Sequence, residues 1–356
     1  MRINIQDFVR PDIVNLKPYV VNKVPHKIKM DANENPYDIP KHIKEHINKE
    51  IIKHHFNRYP DPIAEELRTA LAEELGVNPN QILIGNGSDE LISYIISAFG
   101  GSDAGVIFPT PTFAIYEIFA KLWGTKTLNI PLSEEFDIKS DELILAMNSV
   151  KRSIVFISFP NNPTGNCFSE QAIAEIIDNS KSSIIVIDEA YYEFSKRTFL
   201  RLLGLHNNII ILRTFSKAYG LAGLRIGYMV ANKEIIDEIT KVKMVYNINS
   251  LSQKIALILL KYKNEMSEYI NIILNERDKL ISELSKKNEL KVFKTDANFI
   301  LFRAKTDAQF LFSELLKNGI LIRNLDEPGL LKNCLRVTVG KPEENIAFMS
   351  VINKVL

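Results

Sequence analysis

The sequence predicts an α/β protein built on a mostly parallel sheet buried on both faces. Three observations lead there. Runs such as QILIG (81–85), SIVFISF (153–159) and SIIVID (183–188) are short and continuously apolar rather than alternating, as in strands covered on both sides. Amphipathic helical patterns alternate with these runs. Nearly every run also ends on Gly, Pro, Asn or Asp, at the carboxyl edge where open α/β sheets bind ligands.

Residues 1–30 hold three prolines and no strong period, and read as an irregular arm that leans on the rest. IPKHIKEHINKEIIKHH (39–55) reads as a helix with Ile43, Ile47 and Ile51 on one face. Its lysines and histidines suit a solvated face. His42 and His46 share an i,i+4 spacing, but no HExxH pattern accompanies them. From residue 61 the α/β texture begins. DPIAEELRTALAEELG is helical and stops on Gly76, QILIG is a strand, and SDELISYIISAF (88–99) is a helix. AGVIF (104–108) is a strand followed by a helix through Phe119. SIVFISF, the helix SEQAIAEIIDN (169–179), SIIVID and the strand NIIILRTF (208–215) complete the series. Long helical patterns come after residue 232, and then KVFK, ANFILFR and CLRVTVG appear as strands. We therefore expect a large domain over 31–231, and a smaller α+β domain of 232–356 packed with the arm 1–30.

Composition excludes several classes. Hydrophobic residues make up 46% of 356 and charged residues 24%, with a formal net charge of +1. Those are ordinary globular values with no field to attract nucleic acid or an anionic membrane. Cys167 and Cys334 form no CxxC pair, which suits a reducing compartment and gives no thiolate metal site. The opening MRINIQDFVRPD carries charge at once, and no apolar run approaches the length of a membrane span. A cytoplasmic protein is expected. Neither GxGxxG nor GxxxxGK[ST] is present, so a dinucleotide fingerprint and a P-loop NTPase are disfavoured.

The chemistry is read from the residues just beyond each strand. After QILIG, NGSDE brings Gly85 and Gly87 before a helix opening at Ser88 and Asp89. That is either an ordinary N-cap or an anion site on free amides. After AGVIF come Phe113 and Tyr116, core aromatics or a surface on which a planar ring stacks. PNNPTG sets Asn161 and Asn162 beyond a buried strand, aiming two amides into the crevice. Asp188 ends SIIVID, and Tyr191 comes three residues later. Without a P-loop, that acid suits a protonated ring nitrogen better than Mg²⁺. Finally FSKAYGLAGLRIGY (215–228) places Ser216, Lys217 and Arg225 behind a buried strand. A lysine there is either a surface charge or a reactive amine. A phosphate cradle, a stacking aromatic, an amide, an acid and an amine together match the needs of pyridoxal 5'-phosphate.

With these residues in place the chain resembles the fold-type I pyridoxal-phosphate-dependent aminotransferases of class II, and within them the histidinol-phosphate aminotransferase family. The resemblance rests on NLKPY (15–19), DANENP (31–36), NRYPDP (57–62), GNGSDE (85–90), PNNPTG (160–165), DEAYYEF (188–194), TFSKAYGLAGLRIGY (214–228), YNINSLSQ (246–253), ANFILFR (297–303), LIRN (321–324) and LRVTVG (335–340). It implies a large domain with a mostly parallel seven-stranded sheet between helices. It implies that Lys217 bonds the cofactor aldehyde and Asp188 pairs with the pyridine nitrogen. Asn162 and Tyr191 would bond the phenolic oxygen, and Phe113 would stack on the ring. Ser216, Arg225 and the backbone of Ser88 and Asp89 would hold the phosphate, joined by Tyr59 from the neighbouring subunit of a homodimer. Arg336, Arg323 and Tyr19 would take the substrate's phosphate. The implied reaction moves an amino group from L-histidinol phosphate to 2-oxoglutarate, a step of histidine biosynthesis. An aromatic or broad-range aminotransferase and a phosphothreonine decarboxylase stay open on the same fold. A ligand-sensing module without catalysis is a further class, which the retained Lys217 disfavours.

Overall fold

The computed structural model describes residues 3–14, 24–305 and 307–356. In chain order the first strands are β1 (Ile28–Lys29), β2 (Ile82–Gly85), β3 (Ala104–Thr110), β4 (Lys126–Pro131), β5 (Arg152–Ser158) and β6 (Ser183–Asp188). Then come β7 (Ile209–Thr214), β8 (Gly227–Ala231), β9 (Leu290–Val292), β10 (Phe299–Ala304), β11 (Ile320–Leu321), β12 (Arg323–Asn324) and β13 (Cys334–Thr338). Among the described residues they form three sheets. The largest has the order β2-β8-β7-β6-β5-β3-β4. Strands β4, β3, β5, β6 and β7 pair in parallel, and β8 runs antiparallel to both β7 and β2.

Successive side chains of a strand point to opposite faces, and here both faces are dry. Val155, Ile157, Ile185, Ile187, Ile209 and Ile211 enter one core with the helices Lys41–Ile52, Glu65–Leu75 and Ser250–Lys261. Ile154, Phe156, Val186, Ile210, Leu212 and Met229 enter the other, with the helices Ser88–Phe99, Ile115–Leu122 and Lys233–Thr240. Complete burial on both sides removes any reason for alternation, hence the continuous apolar runs. Two strands of this sheet lie outside the sequence expectations. β4 is a half-exposed edge strand of mixed polarity, and β8 continues a Gly-rich loop.

Strands β12, β13, β10 and β9 make a four-stranded antiparallel sheet, and β1 pairs in parallel with β11. Met30, Leu335, Val337 and Phe348 share its core, so the segment leading into DANENP packs with this smaller sheet. Met30 O also accepts from Thr338 N at 2.8 Å. Among the described residues no helix is long and apolar enough to cross a membrane.

Candidate active site

A cavity of about 820 Å³ opens beyond the carboxyl ends of β3, β5, β6 and β7, where strand topology places ligands. It is lined by Asp188, Tyr191, Ser216 and Lys217, by Ser88, Asp89 and Arg225, and by Arg323 and Arg336. Phe113 and Asn162 line its walls. Tyr59 does not line it: that ring is 79% exposed and stacks on Tyr246 at 4.5 Å. Tyr19 lies outside the described residues.

Lys217 is half-buried in the turn after β7, and its Nζ donates to Ala32 O at 3.0 Å. Burial first, and then the charge of Arg336, hold its ammonium down to about 8. Asp188 ends β6 and is 2% exposed. Burial pushes its carboxyl up to about 6, against donation from Tyr116 Oη at 2.7 Å and the Ala190 N–H at 3.2 Å. Tyr116 is itself clamped flat on Phe156 at 4.6 Å and meets the edge of Phe113 at 5.7 Å. Phe113 and Tyr116, three residues apart, thus work as a pair, one facing the cavity and one backing its acid.

The anion end is built by close approach. Gly87 has φ +81°, and a Cβ there would meet Arg225 Nη2 at 2.5 Å. Gly227 starts β8, and its Cβ would meet Ser88 N at 2.5 Å. The helix Ser88–Phe99 therefore presents its first amides and its positive dipole end beside Ser216 and Arg225. Arg225 spans the gap, donating to Asp89 Oδ2 at 2.8 Å and to Ser216 Oγ at 3.4 Å. Of the glycines in the loop, Gly220 (φ +67°) is needed for its turn, and Gly227 for its approach to Ser88. Gly223 has open space around it and no unusual φ, so it is not one of the required glycines.

Arg323 and Arg336 pair directly across β12 and β13, so both side chains project to the same side. The Arg336 guanidinium donates to Asn162 Oδ1 and to Asp31 O. The two asparagines of PNNPTG part company here. Asn162 faces the cavity, whereas Asn161 is fully buried. Asn161 instead stitches loops together, donating to Pro111 O and Thr164 Oγ1 and accepting from Thr112 Oγ1.

Two further groups lie in the quoted motifs DANENP and DEAYYEF without a role expected for them. Asn33, buried and left-handed, donates to Tyr191 Oη at 2.9 Å. Glu189, beside Asp188, turns to the other face and takes two bonds from buried Arg213, at 3.0 and 2.9 Å. That guanidinium lies 3.5 Å from the centre of the Tyr192 ring. The pair braces the adjoining ends of β6 and β7.

The family model for aminotransferase class I and II matches residues 25–352. The chain belongs to that family. This aminotransferase is 40% identical over 352 residues to the histidinol-phosphate aminotransferase of Caldanaerobacter subterraneus subsp. tengcongensis, covering 99% of each chain. Its fold is similar to the histidinol-phosphate aminotransferase of Clostridium acetobutylicum, with a TM-score of 0.85, 29% identity, and coverage of 92% of this chain and 99% of that one. It also matches the fold of the Sinorhizobium meliloti histidinol-phosphate aminotransferase, solved in complex with pyridoxal-5'-phosphate, with a TM-score of 0.85, 23% identity, and coverage of 93% and 92%.

Proposed function

We propose that this aminotransferase moves the amino group of L-histidinol phosphate to 2-oxoglutarate, giving imidazole acetol phosphate and glutamate, with pyridoxal 5'-phosphate held in the cavity. The observation that carries the reading is the meeting of one buried acid, one amine of lowered basicity and three guanidiniums in a single space of about 820 Å³. Its donor set fits the cofactor. The approach of Gly87, Ser88 and Arg225 forms an anion cradle in its lining, and Asp188, Arg323 and Arg336 line the same cavity. When bound, the cofactor supplies an aldehyde that takes up amines and a protonated ring that draws off the electrons left by a departing α-proton.

The chain's own residues do the rest. Lys217 would bond the aldehyde through its neutral amine, which burial favours; once the donor's amine has displaced it, the freed Nζ would be the base that holds the α-proton. Asp188 would keep the ring nitrogen protonated, with Tyr116 holding its charge in place. Tyr191 and Asn162 would bond the phenolic oxygen, and Phe113 would stack on the ring. The Ser88 and Asp89 amides, Ser216 and Arg225 would hold the cofactor's phosphate. Arg336 and Arg323, with Tyr19, take the phosphate ester of the donor; forked guanidiniums suit a dianion. Tyr59 would reach from one protomer into the site of its partner. Its exposure, together with that of Phe56, Met244 and Val245, supports a homodimer covering that apolar surface. We place the enzyme in the cytoplasm.

The test is turnover of histidinol phosphate against phenylalanine and phosphothreonine with 2-oxoglutarate as acceptor. Preference for histidinol phosphate, lost in Lys217→Ala, is expected. Carbon dioxide release that needs no oxo-acid would refute the transaminase reading. Equal turnover of phenylalanine would refute the proposed donor.

A further inference from the structure

The DANENP stretch offers main-chain acceptors to Lys217 and Arg336, but none of its side chains has a role in the chemistry proposed for the cavity. We infer that its Asn33 is a positioning residue, one that fixes the direction in which the Tyr191 hydroxyl proton points. The inference rests on the proposed cofactor.

The protons around Asn33 can be placed one by one. Asn33 is 1% exposed, with φ +55°, a conformation that asparagine tolerates better than most residues. Its main-chain N–H donates to Thr338 Oγ1 at 2.9 Å. That hydroxyl's own proton is then available to Asn33 Oδ1, 3.3 Å away. The carboxamide oxygen therefore faces Thr338, and the amide nitrogen faces Tyr191, whose Oη accepts at 2.9 Å. Asn298 Nδ2 completes the lock by donating to Asn33 O at 3.1 Å. A hydroxyl oxygen that accepts from a carboxamide must send its own proton elsewhere. Tyr191 lines the cavity, and its ring is set edge-on to Phe299 at 5.1 Å. The proton is thus presented to the cavity, where the cofactor's phenolic oxygen would lie. Without Asn33 the hydroxyl rotates freely, and its proton is shared among other acceptors.

A donor to the phenolic oxygen weakens that oxygen's hold on the proton it shares with the Lys217 nitrogen. Losing the donor raises the pH midpoint of the cofactor's visible absorbance. The experiment measures that midpoint, and the cofactor's Kd, in the loaded protein and in Tyr191→Phe, Asn33→Gly and the double variant. Glycine accepts the left-handed backbone and brings no charge. Tyr191→Phe is expected to raise the midpoint. Asn33→Gly is expected to raise it in the same direction, and to leave it unmoved in the Tyr191→Phe background. Asn33→Asp, whose carboxylate would take the Tyr191 proton and adds its own charge, is expected to give a larger rise than Asn33→Gly. A midpoint unmoved by Asn33→Gly and Asn33→Asp, or equal rises from Asn33→Gly in both backgrounds, would overturn the inference while leaving the cofactor reading intact. A protein with no pH-dependent band, or a Tyr191→Phe band that does not move, would overturn the cofactor assignments and the inference together.

Discussion

In its proposed role Asp188 must be ionised to keep a ring nitrogen protonated, yet burial lifts its carboxyl from 3.8 to about 6. The hydroxyl of Tyr116 is the principal force pulling the other way. A hydrogen bond to a charged group contributes about 1.5–3 kcal/mol, and one pH unit corresponds to about 1.4 kcal/mol. Tyr116→Phe keeps the flat stacking on Phe156 but removes the donor. The carboxylate then becomes harder to form, so the pKa rises. The acid limb of kcat/KM should move upward by about one to two pH units, while activity well above that limb stays near its original value. A pH–rate profile with an unmoved acid limb would show that Tyr116 does not support the charge.

At the scale of elements, the decisive contact lies between the start of β8 and the first turn of the helix Ser88–Phe99. Both partners are backbone, so neither can swing aside. Gly227→Ala would drive a methyl against Ser88 N. Overpacking of this kind costs about 1–3 kcal/mol, and here it also displaces the amides that would hold the phosphate. A lowered Tm together with a raised cofactor Kd is expected; a Tm loss with unchanged Kd would separate the contact from the anion site. The legibility of the sheet obeys the same physics. Five strands stand out because burial on both faces makes them continuously apolar. β4 hides because an edge strand mixes polar and apolar residues, and β8 because it emerges directly from a Gly-rich loop. Lys217, Asp188, Ser216 and Arg225 were legible because each lies at or just beyond a strand's carboxyl end or in the loop leading from it. Asn33 and Tyr116 were not, since their roles depend on partners far along the chain. Asn161 misleads because an asparagine that stitches loops and one that faces a ligand look alike in sequence.

At the scale of the whole molecule, the proposed homodimer, with Tyr59 of one protomer reaching the site of its partner, has a consequence that can be measured. Lys217→Ala and Tyr59→Ala should each impair activity when alone. In a mixed dimer, one site has lost both groups and the other retains both. Mixing the two variants and allowing subunits to exchange should therefore restore activity above that of either parent. Activity no greater than the average of the parents would argue for self-contained sites. The reversed strand β8 carries a consequence of another kind. It joins β2 to β7, pairing Ile82 with Val230 although most of the large sheet's sequence lies between them. The two halves of the anion cradle hang from those flanking strands, so neither is in place until that long loop closes. Pairings of such long range form slowly. During refolding, capture of the cofactor should lag behind the far-ultraviolet signal of helices and strands, and simultaneous recovery of the two would contradict this. The cofactor would then serve as a timer of sheet closure, reporting the moment at which the last strand enters.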